Sequence, residues 1–169
     1  RDTKSDAITA ANVAQDLLDQ GADVLFGPPT DDGLIPMAGL ALPHGIAVLA
    51  VGSTQAAFPQ AAPDNGYLVP FGDNASAAAA AEFAYKAGHR KVALMIAHDV
   101  GAYSVLTPEY FGKAFERLGG EIVGRVTYHH GLADYTAQVT EIDNLPDKPD
   151  MIFAAIMKHD AAVLACTLK

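Results

Sequence analysis

The chain contains one cysteine and no tryptophan, and it sets only 11 Lys and Arg against 20 Asp and Glu. Each scarcity excludes something. Cys166 has no second thiol with which to close an internal disulfide and fits no zinc-ligand spacing, so neither a disulfide scaffold nor a structural metal site is expected. A net charge of −9 without any Lys/Arg cluster argues against nucleic acid as a partner. No apolar run approaches the roughly eighteen residues of a membrane-spanning helix. Charged residues make up only 18%, and Val, Ile, Leu and Ala abound, which excludes a disordered tail. What remains is 169 residues, half of them apolar, enough for one domain or two half-lobes with a core. The polar opening RDTKSD lacks an initiator Met, and the closing run AAVLACTLK has no glycine or proline to end a helix. Both ends are therefore expected to be internal to a longer protein, with any targeting signal outside this segment.

Along the chain, helical and strand-like patterns alternate. Residues 6–20 place Ile8, Ala11, Val13, Ala14, Leu17 and Leu18 on one helical face, and Gly21 ends the run. ADVLFG (22–27) has the continuous apolar character of a strand buried on both faces. LIPMAGLAL follows as a helix whose start Thr30, Asp31 and Asp32 would cap, with Pro36 tolerable only in its first turn. GIAVLAVG (45–52) is the second strand. Residues 53–73 carry three prolines and two glycines with little periodicity, and read as a functional loop or a crossover. Beyond them come helix 74–87 (its Ala-rich stretch 75–81 packed), strand 90–97, helix 105–118, strand 121–127, helix 134–143, strand 150–155 and an incomplete helix from about 159. Strands alternating with helices of this length predict an α/β protein built on doubly wound parallel sheets.

In such sheets ligands sit beyond the carboxyl ends of the strands. After strand 22–27 stands GPPTDDG, which has neither a Walker nor a GxGxxG spacing and whose Asp31 and Asp32 would repel a phosphate. Thr30 or Asp31 either caps the next helix or turns toward a cleft. After strand 45–52, Gly52, Ser53 and Thr54 offer two hydroxyls and backbone amides for a small polar ligand, or form an ordinary Ser/Thr turn. No GxSxG elbow is present. After strand 90–97, His98 and Asp99 stand adjacent without an evident nucleophile. Tyr103 has the amphipathic shape of a pocket wall or of a ring half-buried on the next helix. After strand 150–155 come Met157, Lys158, His159 and Asp160, the last a helix-capping candidate. His129 and His130 read as surface residues, and His44 and His89 as helix-end residues. No catalytic constellation and no metal or cofactor site emerges, and an enzyme is not expected.

The ordered set RDTKSD, GADVLFGPPT, GIAVLAVGST, GYLVP, HRKVALMIAHDVGAY, RLGGEIVGRVTY, ADYTAQVTEI and PDMIFAAI resembles the type I periplasmic binding proteins of the Leu/Ile/Val-binding family, along essentially the whole chain. The resemblance implies two doubly wound lobes closing on a small solute. Residues 1–70 would be part of ligand-binding lobe 1 and 71–169 part of lobe 2, with 53–73 leading across the hinge. The opening strand–helix–strand would precede Arg1, and the rest of lobe 2 would follow Lys169. It further implies ligand contacts at Thr30, Asp31, Gly52, Ser53 and Thr54 in the first lobe, and at Tyr103 and Met157 in the second. Three positions depart from the family pattern. Asp31 replaces the usual Ser or Thr, Ser104 a glycine, and Met157 a Tyr or Gly. A carboxylate at 31 would repel a ligand carboxylate, which admits an amine, amide or aromatic ligand unless Asp31 only caps the helix.

The implied function is a monomeric, periplasmic or cell-surface lipoprotein receptor of an ABC importer, with the membrane permease as its partner. A ligand-sensing domain of a receptor or transcriptional regulator with the same fold is the alternative.

Overall fold

The computed structural model describes every residue except Ser5, Thr30, Val100 and Lys169. The chain divides into two compact units, Arg1–Gly72 and Asp73–Lys169. In the first, α1 (Ala7–Asp19) starts where the Asp6 carboxylate accepts the Thr9 amide at 2.7 Å, and ends before Gly21, whose φ of +79° suits the left-handed turn. β1 (Val24–Phe26), α2 (Asp31–Ala41) and β2 (Ala47–Ala50) follow. Then come α3 (Ala57–Ala61) and β3 (Gly66–Leu68). The three strands pair in parallel in the order β1-β2-β3.

Three expectations are corrected here. Asp31 and Asp32 lie inside the first turn of α2, so Pro36 falls in its second turn. The proline is on the exposed side, where water can satisfy the carbonyl it leaves unpaired. Residues 53–73, read as a functional loop or a crossover, include two regular elements. They hold α3 and β3, and Asn65 anchors them by donating its side-chain amide to the carbonyls of Ala38 (2.9 Å) and Ile46 (3.2 Å). Nor is β1 buried on both faces. Leu25 is buried, whereas Phe26 is 65% exposed. Strands laid down in one direction, joined by crossovers of one hand, put every helix on the same face. Leu25, Val48 and Ala50 accordingly pack with Ala14 and Leu18 of α1, Leu34 and Met37 of α2, and Phe58 of α3.

The second unit contains α4 (Asp73–Lys86), β4 (Lys91–Ala97), α5 (Ala102–Arg117), β5 (Glu121–Tyr128), α6 (Thr136–Asp143), β6 (Met151–Ala154) and α7 (Lys158–Thr167). Its strands are parallel in the order β5-β4-β6. The chain moves to opposite sides of β4, so its helices divide between the two faces. Val92 and Leu94 pack with Ala77 and Ala81 of α4 and with Phe111 and Phe115 of α5. Ala93, Met95 and Ala97 pack with Ile142 of α6 and Leu164 of α7. Within the Ala-rich stretch of α4 only Ala77 and Ala81 are buried, one helical turn apart. The helix expected at 105–118 begins at Ala102, so Tyr103 and Ser104 belong to its first turn.

Candidate ligand-binding edges of the two sheets

In the first unit, close approach between two strand exits brings the site residues together. A Cβ on Gly52 would stand 3.0 Å from Pro29 Cβ and 3.1 Å from its Cα, and neither the ring nor the backbone of a proline yields readily. A Cβ on Gly33 would meet Pro28 at 2.7 Å and Ala10 at 3.1 Å. These contacts seat the β1 exit beside the β2 exit. There the hydroxyl of Ser53, almost fully buried, donates to the carboxylate of Asp31 in the first turn of α2. The Gln55 amide approaches the Ser53 oxygen at 3.4 Å. The Ser53 proton is therefore engaged by Asp31, and its oxygen faces a backbone donor. Thr54 is half-buried beside them, and its hydroxyl makes no hydrogen bond among the described residues. Thr30 lies outside the described residues.

The second unit builds its carboxyl edge differently. Tyr103 projects from the first turn of α5, a little over a third exposed, and Met157 precedes α7 with similar exposure. Burial raises the Tyr103 hydroxyl pKa, and the charge of Asp73 adds to the rise. The segments carrying Tyr103 and Met157 are tied by Ser104, which is fully buried and donates to the Ala155 carbonyl at 3.0 Å. The Tyr128 hydroxyl reaches the same carbonyl at 3.5 Å. Its pKa is pushed up to about 12 by burial first, with the nearby Ser104 hydroxyl opposing and the charges of Asp160 and Asp99 adding. The serine that departs from the family's glycine thus serves as a tie between α5 and the β6 exit.

Sequence reasoning missed the most connected polar group in this unit. Asp160 does not cap α7. It sits in the first turn, fully buried, and accepts from the Gly131 amide at 2.9 Å and from the Nδ1–H of His130. Asp99 accepts from the His130 amide at 3.1 Å and lies 3.3 Å from His129 Nδ1. His129 and His130 are exposed as expected, yet both are held by carboxylates from other strand exits. Burial opposes the charged form of Asp160. The Gly131 amide, His130 and Tyr135 outweigh it and hold the carboxyl below its ordinary pKa. Asp99 is likewise lowered, its amide and His129 contacts overcoming desolvation. The available signal was positional: two histidines directly after β5 and an acid in the first turn after β6 occupy the same sheet edge.

Two units of parallel α/β structure, each with polar side chains gathered at the carboxyl ends of its strands and no catalytic grouping among the described residues, define a binding architecture. All 169 residues match the periplasmic binding protein family, and the chain belongs to it. No curated protein is matched.

Among solved structures, the chain is similar to the leucine-binding protein LivK of Thermotoga maritima, at 27% identity and a TM-score of 0.71, covering 89% of this chain and 42% of that one. It is similar in fold to the R. palustris ABC-transporter solute-binding protein in complex with 4-hydroxybenzoate, at 22% identity and TM-score 0.75, over 90% and 41% of the two chains. The ABC transporter substrate-binding protein of Sphaerobacter thermophilus matches with TM-score 0.80 at 20% identity, over 90% and 42%. The chain thus spans about two fifths of the length of these structures, and its fold is that of the type I periplasmic binding proteins in part. The matched family and these neighbours are binding proteins rather than enzymes.

Proposed function

We propose that this chain is part of the substrate-binding protein of an ABC importer, one that captures a small polar solute and presents it to a membrane permease. In this reading the first unit belongs to ligand-binding lobe 1 and the second to lobe 2, joined by a hinge that closes on the solute. The protein would work in the periplasm or, as a lipoprotein, at the cell surface. The observation that carries the reading is the match of the whole chain to the periplasmic binding protein family. The polar carboxyl edges of both sheets support it.

In lobe 1 the contacts would be Asp31, Gly52, Ser53 and Thr54, with Thr30 from the same loop. Ser53 already donates to Asp31, so among the hydroxyls of the described residues Thr54 is the donor left for a solute. In lobe 2, Tyr103 and Met157 would supply an amphipathic and an apolar wall. The names of the neighbours support an amino acid or an aromatic acid as the solute class, whereas Asp31, if it faces the solute, favours an amide or an amine-bearing molecule.

A thermal-shift panel of leucine, isoleucine, benzoate, 4-hydroxybenzoate, simple amides and amines on the full-length protein tests this. One class is expected to raise Tm with a saturating dose dependence. A flat response across the panel, confirmed by calorimetry, counts against solute capture.

A further inference from the structure

The carboxyl edge of the first sheet is poor in hydrogen-bond donors. At the β1 exit the Gly27 amide is spent on the Leu49 carbonyl at 3.0 Å, and Pro28 and Pro29 have no N–H to offer. The positive end of α2, which would otherwise draw an anionic group, already carries the carboxylates of Asp31 and Asp32 in its first turn. At the β2 exit the nearly fully buried Ser53 gives its proton to Asp31. What the edge presents instead is acceptors.

We propose that this edge is an acceptor site for an N–H-bearing head group, a primary amine or a primary amide, with Asp31 as the residue that sets the specificity and Ser53 as the residue that positions it. The inference rests on the reading of the chain as a solute-binding protein, and it narrows the solute that the first lobe takes. Asp31 is half-buried, so its carboxylate is within reach of a molecule at the strand exits, whereas Ser53 lies behind it. An ionised carboxylate only accepts, and it has about four acceptor positions, which one serine hydroxyl does not exhaust. The Ser53 bond fixes the carboxylate across the β1 and β2 exits and removes the serine as a donor.

The two kinds of head group fare differently against these residues. An amine or amide donates to Asp31 and to the Thr54 oxygen, since a hydroxyl accepts as readily as it donates. From an ammonium the bond to Asp31 is charge-assisted, roughly twice as strong as a neutral one. A carboxylate head meets Thr54 as the one side-chain donor among Asp31, Gly52, Ser53 and Thr54, and it meets a like charge in a place partly withdrawn from water. None of those four residues carries a compensating positive charge.

Ligands matched in everything but the head group test this on the full-length protein. Calorimetry at neutral pH compares 4-hydroxybenzoate with 4-hydroxybenzamide and 4-hydroxybenzylamine, and leucine with leucinamide. In at least one set the amide or the amine is expected to bind about tenfold or more tightly than its matched carboxylate. The amide and amine arms show which of the two donors the edge prefers.

In Asp31→Ser, which keeps a short polar side chain at the start of α2, the preference should vanish or reverse. Asp31→Asn keeps the shape and an acceptor for Ser53 but not the charge, and it should lose the preference for the amine even where Asp31→Ser impairs folding. Carboxylates that bind the wild type as tightly as their matched amides and amines, or a preference unchanged in both variants, overturn the acceptor site and leave solute capture standing. Binding by no member of either set, with a flat thermal-shift panel, counts against capture itself and overturns the acceptor site with it.

Discussion

Asp160 shows how much one side chain can do when it is buried with its partners. Removing a carboxylate from water is unfavourable, and a backbone amide, an imidazole and a tyrosine hydroxyl reverse that cost. The consequence for stability has a definite sign. A carboxyl whose folded pKa is lowered binds its proton more readily in the unfolded chain. Its contribution is complete above the ordinary value of about 3.9 and is lost as pH falls through the lower folded value. The urea midpoint of the full-length protein should drop as pH falls below about 4, and Asp160→Asn should flatten that part of the profile. Equal slopes in the two proteins would place the acid sensitivity elsewhere.

At the other candidate edge, Thr54 is the hydroxyl with donor capacity to spare. Thr54→Val keeps the shape and removes the donor. It is expected to weaken binding of whichever solute the panel identifies by about 1–3 kcal/mol in calorimetry, with an unchanged urea midpoint. Undiminished affinity would remove Thr54 from the site. Most of these residues could be singled out in the sequence because they follow apolar strand runs. Which of them bond to each other could not, because Ser53 and Asp31 are joined only once β1 and β2 lie side by side.

At the scale of elements, the sequence pattern located most helices and strands to within a few residues. It failed where local signals conflict with tertiary ones. β3 is three residues long, follows Pro63, Asp64 and Asn65, and is a strand because Val48 donates its amide to the Asn65 carbonyl and β2 supplies the ladder. Nothing local marks it. The early start of α5 has a similar origin, since Gly101 with φ +88° turns the chain before Ala102 and Ser104 is pinned to Ala155.

Packing between elements also sets tolerance. A Cβ on Gly120 would stand 2.2 Å from the Phe115 ring, which is fully buried and stacked on Phe111 at 5.5 Å. Phe111 stacks in turn on Phe153 at 4.0 Å. With that aromatic column behind it the ring cannot swing away, and Gly120→Ala should cost about 1–3 kcal/mol of stability in urea unfolding. A neutral result would show that the column yields.

The two units differ in how their sheets are covered, and this sets where the molecule should be most resistant to opening. β4 has helices on both faces, with Val92 to Met95 fully buried, whereas β1 and β3 are three-residue edge strands over a one-sided core. Amides of β4 should therefore be the slowest in native-state hydrogen exchange, with those of β1 and β3 faster by at least about tenfold. Comparable rates would mean that the first unit's open face is covered in the full-length protein.

The sequence by itself determined the alternation of helices and strands, hence the parallel α/β class, and the strand exits where polar residues gather. Those features depend on periodicity and turn chemistry, which are local. The tertiary structure decided the strand order, β1-β2-β3 in one unit and β5-β4-β6 in the other, and with it which faces are covered. It also decided that Asp160 is a buried anchor rather than a cap, and that His130 is held rather than free. Those outcomes depend on contacts between residues some thirty positions apart, and only the folded chain brings them within hydrogen-bond range.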